Sequence, residues 1–286
     1  MNACFWTAPQ DKPLFESHGL TDLEAVFAFQ EGRRLDKPGL ADWRQRWRIQ
    51  LPDERTAAAP RTFYLKRFES PPIRQQLARW RQGAWRTSTA GVEWQNARSL
   101  ERSGIACARP MAFGQRMQGP IEKRSFVILD EVQGCSLERW LPEHVPPPDE
   151  DADPRGRRAL IDALARFVGR FHAAGFVHRD LYLSHVFLTG VGQERAEIPG
   201  PDDEVFALID LQRVFRPRWR KCRWVVKDLS ALDYSTPADR VSRRERLRFL
   251  CRYVRVCSRF GTARTLARKI AVRTGRTIRR LGPVQA

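Results

Sequence analysis

Apolar side chains alternate with polar ones in the first third of the chain and fall on helical stripes further on. Residues 25–29 (Ala25, Val26, Phe27, Ala28, Phe29) make a short apolar run closed by Gln30, Glu31 and Gly32, and predict a strand followed by a turn. Residues 43–51 place Trp47, Ile49 and Leu51 on one face with charges between them, and residues 61–68 form a β-favouring run with Lys66 near its end. A helix is expected over 91–102, with Val92, Ala97 and Leu100 on its apolar face, Glu93 in its first turn and Gly104 as its stop. Residues 103–110 read as a turn into a strand, and Ser125–Leu129 as a strand running into Asp130, Glu131 and Val132. Residues 137–141 begin a helix, 142–158 read as a proline- and acid-rich surface loop, and 159–174 resume as an amphipathic helix on Leu160, Leu164, Phe167, Val168 and Phe171. A turn-rich stretch over 190–204 predicts a hairpin extension, and helices carrying Asp228 and Asp233 follow. Strands first and helices later describe an α+β fold.

Charge changes this picture. The net charge of the 286 residues is +18, and the stretch from Val241 onward supplies +13 of it, with Glu245 as its only acid. The apolar residues of that tail (Leu247, Leu250, Val254, Cys257, Leu266, Ile270) recur at helical spacing among arginines. It reads as a helical extension with a basic face, suited to an anionic membrane surface or another polyanion. The six cysteines are scattered without a C-x-x-C pair, so no zinc site or disulfide framework is suggested and a reduced cytosolic protein is the preferred reading. The first residues lack the basic and apolar regions of a signal peptide, and no apolar run approaches the roughly 18–20 residues that span a bilayer. Membrane association is therefore expected to be peripheral.

The chemistry centres on Phe176–Leu188, where His178, Arg179 and Asp180 are followed five positions on by His185 and then by an apolar run. Further along, Ala207, Leu208 and Ile209 lead into the lone carboxylate of Asp210. Phosphoryl transfer of the protein-kinase type needs this order: a carboxylate on the first loop to take the acceptor's proton, then side chains that hold Mg²⁺ against the phosphates of ATP. On this reading Asp180 is the base, and Asp210 and His185 are metal ligands. Lys66 on its strand meets the phosphates, Glu93 on the following helix holds that amine, and Glu131 lies at the hinge where backbone groups meet adenine. Gly32 and Gly39 are the glycines available for a turn over the phosphates, and no G-x-G-x-x-G is present. Singly, each residue has an ordinary reading: an exposed strand lysine, a glutamate favoured by the helix dipole, a structural loop histidine. The ordered set carries the inference. The expected architecture is a two-lobed protein-kinase-like fold, with an antiparallel-sheet small lobe over 1–128, a mainly helical large lobe over 129–240 and the basic extension over 241–286.

H-R-D-L-Y-L-S-H-V-F-L followed by I-D-L-Q-R resembles the Kdo/WaaP (InaA-like) lipopolysaccharide kinase family, which carries histidine where protein kinases have asparagine; Tyr182 and Arg213 match as well. The resemblance covers about residues 26–233. It implies ATP-dependent phosphorylation of a core heptose of lipopolysaccharide, by a cytoplasmic protein peripheral to the inner face of the cytoplasmic membrane. It further implies Asp180 as base, Asp210 and His185 as the metal site, and Lys66 with Glu93 as the phosphate-positioning pair. The chain departs from the protein-kinase pattern in having Leu211 and Gln212 after the metal aspartate, and Tyr182 where a lysine stands two after the base. A kinase of another small molecule or of protein hydroxyls has the same loops. A non-catalytic polyanion-binding pseudokinase stands as the third reading. Nucleic acid is disfavoured as a partner, since no zinc-finger, RNA-recognition or helix-turn-helix signature is present.

Overall fold

The computed structural model describes residues 2–35, 41–53, 59–81, 83–148, 153–190 and 205–282. The chain divides into two compact units, one of Met1–Glu101 with Ala108–Glu131 and the other of Arg102–Cys107 with Val132–Ala286.

The first unit is built on an antiparallel sheet. Its strands are β1 (Asn2–Thr7), β2 (Arg33–Arg34), β3 (Arg44–Leu51), β4 (Arg61–Glu69), β5 (Pro110–Gln118) and β6 (Ile121–Asp130), in the order β1-β5-β6-β4-β3-β2. The strands expected over 43–51, 61–68 and 125–129 are present as β3, β4 and β6. Alternation decides what each face meets. Phe63 and Leu65 of β4 point into a core with Trp47, Ile49, Phe126 and Ile128, capped by Leu14, Phe15 and Val26 from two short helices, α1 (Lys12–Ser17) and α2 (Leu23–Ala28). Lys66, of opposite parity, points to the other face, which is covered by α4 (Thr89–Glu101). Between β4 and α4 lies α3 (Ile73–Arg81).

The strand expected over 25–29 is instead the end of α2. Asp22 Oδ1 accepts from the Glu24 and Ala25 N–H groups at its start. At its end the Arg67 guanidinium donates to the carbonyls of Val26 and Phe29. Both ends are therefore capped, which satisfies backbone groups that a six-residue helix otherwise leaves orphaned. Burial lowers the Arg67 pKa to about 10.

The second unit begins with β7 (Gly134–Ser136), α5 (Leu137–His144) and α6 (Pro154–Ala173). It continues through β8 (Val186–Thr189), β9 (Phe206–Leu208), α7 (Lys221–Ser235), α8 (Arg243–Val256) and α9 (Ala263–Leu281). The three strands pair antiparallel in the order β7-β8-β9; the hairpin extension expected between β8 and β9 falls on 191–204, outside the described residues. The loop expected over 142–158 is shorter than its composition suggested. Buried Trp140 and Leu141 carry α5 past Pro142, and Asp153 caps α6 by accepting from the Gly156 N–H, with Pro154 in the first turn where no N–H is needed. Residues 149–152 lie outside the description.

Helix α8 packs on α6, and α9 on α7. Much of the basic charge over 243–259 is engaged in this packing: Arg248 and Arg252 pair with Asp162, Arg246 with Asp233, and Arg259 donates to the His172 and Ala173 carbonyls. An apolar cavity of about 110 Å³ opens in this unit, lined in part by Leu141, Leu160, Leu164, Leu183, Leu229 and Leu232. Among the described residues, no helix is long and apolar enough to cross a membrane.

Gly134 has φ of 139°, and a Cβ there would lie 2.0 Å from the Leu188 carbonyl oxygen. Gly134→Ala is therefore expected to break the β7–β8 ladder and destabilise the protein by at least about 2 kcal/mol, combining backbone strain with a contact that cannot relax. An unchanged thermal midpoint would refute this.

Candidate active site

In the first unit the sheet places Lys66 against α4. Its Nζ lies 2.5 Å from Glu93 Oε1, and the Glu93 side chain is fully buried. A close cation offsets the desolvation of a buried carboxylate, so the pair fixes the lysine's position. At the end of β6 the Glu131 N–H donates to the Thr62 carbonyl (3.1 Å), and its Oε1 accepts from Tyr64 Oη at 3.2 Å and faces Arg48 at 3.5 Å. Of the two glycines considered for a turn over phosphates, Gly32 precedes β2 at φ of 119°, where a Cβ would lie 2.7 Å from the Arg48 carbonyl oxygen. Gly39 lies outside the described residues.

In the second unit one loop holds the remaining residues together. Val177 and Phe215 exchange backbone hydrogen bonds of 3.0 and 3.1 Å, pinning the loop's start. Asp228, buried in α7, accepts from the His178 N–H through Oδ2 (2.6 Å) and from the Arg179 N–H through Oδ1 (2.7 Å). This clamp holds Arg179 at φ of 73°, a left-handed conformation that costs a side-chain-bearing residue roughly 1–2 kcal/mol. The His178 Nε2–H donates to the Ile209 carbonyl at 3.0 Å. Burial lowers the His178 pKa and keeps the ring neutral, so it serves as a strut between the two loops. Ile209 N–H in turn donates to the His185 carbonyl (3.1 Å), and Asp210 follows at φ of 56°.

The result is a convergence of charged groups. Asp180 Oδ2 accepts from Arg213 Nη1 at 2.5 Å, and its Oδ1 lies 3.7 Å from Lys227 Nζ. His185 Nδ1 is 2.7 Å from the Asp180 carbonyl oxygen, so Nδ1 donates to it; Nε2, which holds the lone pair in the neutral tautomer, is 3.9 Å from Asp210 Oδ2. Desolvation lowers the Lys227 pKa, with Asp180 opposing it; burial together with Asp180 raises that of Tyr182. Chemically, the loop offers a carboxylate oriented by two cations beside an imidazole lone pair and a second carboxylate. Among the described residues, no three of His, Cys, Asp and Glu converge as a metal cluster.

Lys66, Glu93 and Glu131 thus belong to the first unit, and Asp180, His185 and Asp210 to the second. Asp228 and Lys227 were not singled out as site residues from the sequence. Their only trace there is a charged pair inside the apolar run Trp224–Leu229, a placement that a solvent-facing helix turn would also produce.

The loop geometry is accompanied by likeness to known proteins. The model of the lipopolysaccharide kinase (Kdo/WaaP) family matches residues 40–253. The lipopolysaccharide core heptose(I) kinase WaaP of Pseudomonas aeruginosa is 36% identical over 170 residues, covering 58% of this chain and 59% of that protein. The Escherichia coli protein of the same name is 31% identical over 164 residues, covering 56% and 58%. The chain thus spans a little under three-fifths of the length of the curated relatives it matches. A solved structure of WaaP in complex with acyl carrier protein superposes with a TM-score of 0.68 at 26% identity, covering 98% of this chain and 99% of that one. With three-quarters of its length inside the family match, the chain belongs to the lipopolysaccharide kinase (Kdo/WaaP) family.

Proposed function

We propose that this protein is an ATP-dependent kinase that phosphorylates a sugar hydroxyl, a heptose of the lipopolysaccharide core, at the inner face of the cytoplasmic membrane. The observation that carries the reading is the Asp180 carboxylate, held between Arg213 and Lys227 on a loop stapled to α7, with His185 and Asp210 beside it. Asp180 orients the acceptor hydroxyl and takes its proton. Lys66, set by Glu93, meets the α- and β-phosphates. Glu131, at the end of β6, is assigned to the hinge where backbone groups meet adenine.

The Asp210 carboxylate suits Mg²⁺, a hard ion that is held by one or two carboxylates with phosphate and water filling the rest, while His185 Nε2, 3.9 Å from Asp210 Oδ2, is a softer donor that Mg²⁺ favours less. When bound, the ion would neutralise charge on the β- and γ-phosphates.

Two partners accompany this reading. The solved relative is in complex with acyl carrier protein, and the same partner is proposed here; the leucine-lined cavity has the apolar character an acyl chain requires. Solvent-facing Arg264, Arg268, Arg276, Arg279 and Arg280 of α9 supply charge toward an anionic membrane surface. Co-elution of the full chain with acyl carrier protein on size exclusion tests the first; separate elution at micromolar concentrations would count against it.

The deciding experiment is γ-phosphate transfer from ATP to dephosphorylated lipopolysaccharide core. Transfer is expected with Mg²⁺ present and is expected to vanish when a chelator removes it. ATP binding with transfer to free sugars or peptides, and none to the core, would move the acceptor to another class.

A further inference from the structure

The segment joining the catalytic loops to α7 carries a feature that phosphoryl transfer does not use. From Arg213 to Arg223 there are six basic residues and no acid. In their midst Trp219 is 82% exposed, more than any other large apolar side chain among the described residues. Arg218, Arg220, Lys221 and Arg223 are solvent-facing around it. The segment is nonetheless built. Pro217 is buried, and Arg216 stacks on Phe176 (4.2 Å) and donates to Ser103 Oγ (3.2 Å). Phe215 packs edge-on against Trp224, and Arg220 adopts φ of 53° at the cap of α7. Anchors on both sides hold the indole out into water, ringed by solvent-facing cations. The basic surface continues onto α9, where Lys269 Nζ lies 3.6 Å from Cys222 Sγ.

We propose that residues 216–223 seat this protein on an anionic bilayer, with Trp219 in the interfacial layer and Arg218, Arg220 and Lys221 on acidic headgroups. An amphipathic ring encircled by cations suits the membrane–water boundary, where indoles concentrate and basic residues meet acidic lipid. A basic face alone would fit nucleic acid equally well. What favours the bilayer is the segment's place in the chain. It begins at Arg213, which binds Asp180, and is laddered through Phe215 to Val177 at the start of the catalytic loop. Docking therefore brings the base to a lipid-borne hydroxyl, a consequence that rests on the kinase reading above. The surface is distinct from the arginines at the far end of α9.

The test uses the full chain and vesicles of 30% phosphatidylglycerol in phosphatidylcholine, some carrying brominated lipid. Each basic residue near such a surface contributes about fivefold in partitioning. Arg218→Glu with Arg220→Glu and Trp219→Ala is thus expected to lower vesicle binding on the order of 100-fold with an unchanged melting midpoint. Trp219→Phe, which keeps the charge and an aromatic ring, is expected to retain most binding and lose most of the bromine quenching. Arg276→Glu with Arg279→Glu and Arg280→Glu is expected to weaken partitioning through the charge of α9, while the vesicle-bound fraction keeps the Trp219 quenching. Equal vesicle binding by wild type and the triple 218–220 variant, or quenching that survives Trp219→Phe, overturns the proposal. So does tighter binding to duplex RNA than to vesicles at the same ionic strength. The 218–220 variant should phosphorylate water-soluble deacylated core at the wild-type rate and vesicle-embedded acceptor at least tenfold more slowly. If wild type phosphorylates neither, the kinase reading fails, while the vesicle and quenching results still decide the docking.

Discussion

Asp180→Ala is expected to lower phosphate transfer about 1,000-fold while leaving ATP affinity within a few-fold of wild type. A positioned base contributes roughly 10²–10⁴ to a proton-coupled step. The geometry gives Asp180 that position. Its carboxylate is fixed by Arg213 at 2.5 Å and Lys227 at 3.7 Å, and its carbonyl by His185 at 2.7 Å. Only the carboxylate is removed by the substitution, so the loop contacts of His185 survive. Asp180→Asn keeps an acceptor for Arg213 but cannot take a proton, and should be nearly as slow. Single-turnover rates at saturating ATP measure both. A loss below tenfold in either variant would remove Asp180 from the proton-accepting role and leave it as a tether for Arg213.

Asp228→Ala is expected to damage stability and activity together. Its two oxygens serve the N–H groups of His178 and Arg179 on a buried segment, and His172 Nε2 approaches at 3.4 Å. Each orphaned buried group costs about 1–3 kcal/mol, so the total is expected near 3–5 kcal/mol. At about 2–4 °C per kcal/mol for a unit of this size, the thermal midpoint should fall by roughly 10 °C. Arg179 would then have no reason to keep its left-handed backbone, and Asp180 would lose its direction. Asp228→Asn retains one accepting oxygen and should lie between the two. Calorimetry and transfer rates measured on the same preparations decide the matter. A midpoint within 2 °C of wild type would show that the clamp is dispensable.

How much of this could be read from the chain depended on how far apart the partners were. Lys66 and Glu93 were legible because strand parity and a helix's first turns are local patterns, and Phe176–Leu188 because its functional groups are adjacent. Helix α2 was not, since one of its caps is Arg67, some forty residues on. Helix α3 was missed for a different reason. Its exposed face carries Ile73 and Leu77 while Gln76 and Arg79 are buried, inverting the amphipathic pattern. Those buried groups donate to carbonyls of Pro71, Glu122, Ala84, Thr87 and Pro120, which no periodicity could foretell. Asp228 acts across fifty residues on a backbone rather than on a side chain, so a pattern of residue types does not reveal it.

The source of the ammonium group beside Asp180 bears on how such chains diverge. Protein kinases carry that charge two residues after the base; here Tyr182 stands at that position and Lys227 supplies the charge from a helix. Its neighbour Asp228 grips the loop directly, so amine and loop move as one piece whatever lies between them. Insertions or deletions between β8 and β9 can therefore accumulate without displacing the charge. A search for a fixed lysine spacing would overlook this amine, which reaches Asp180 from α7 rather than from the loop.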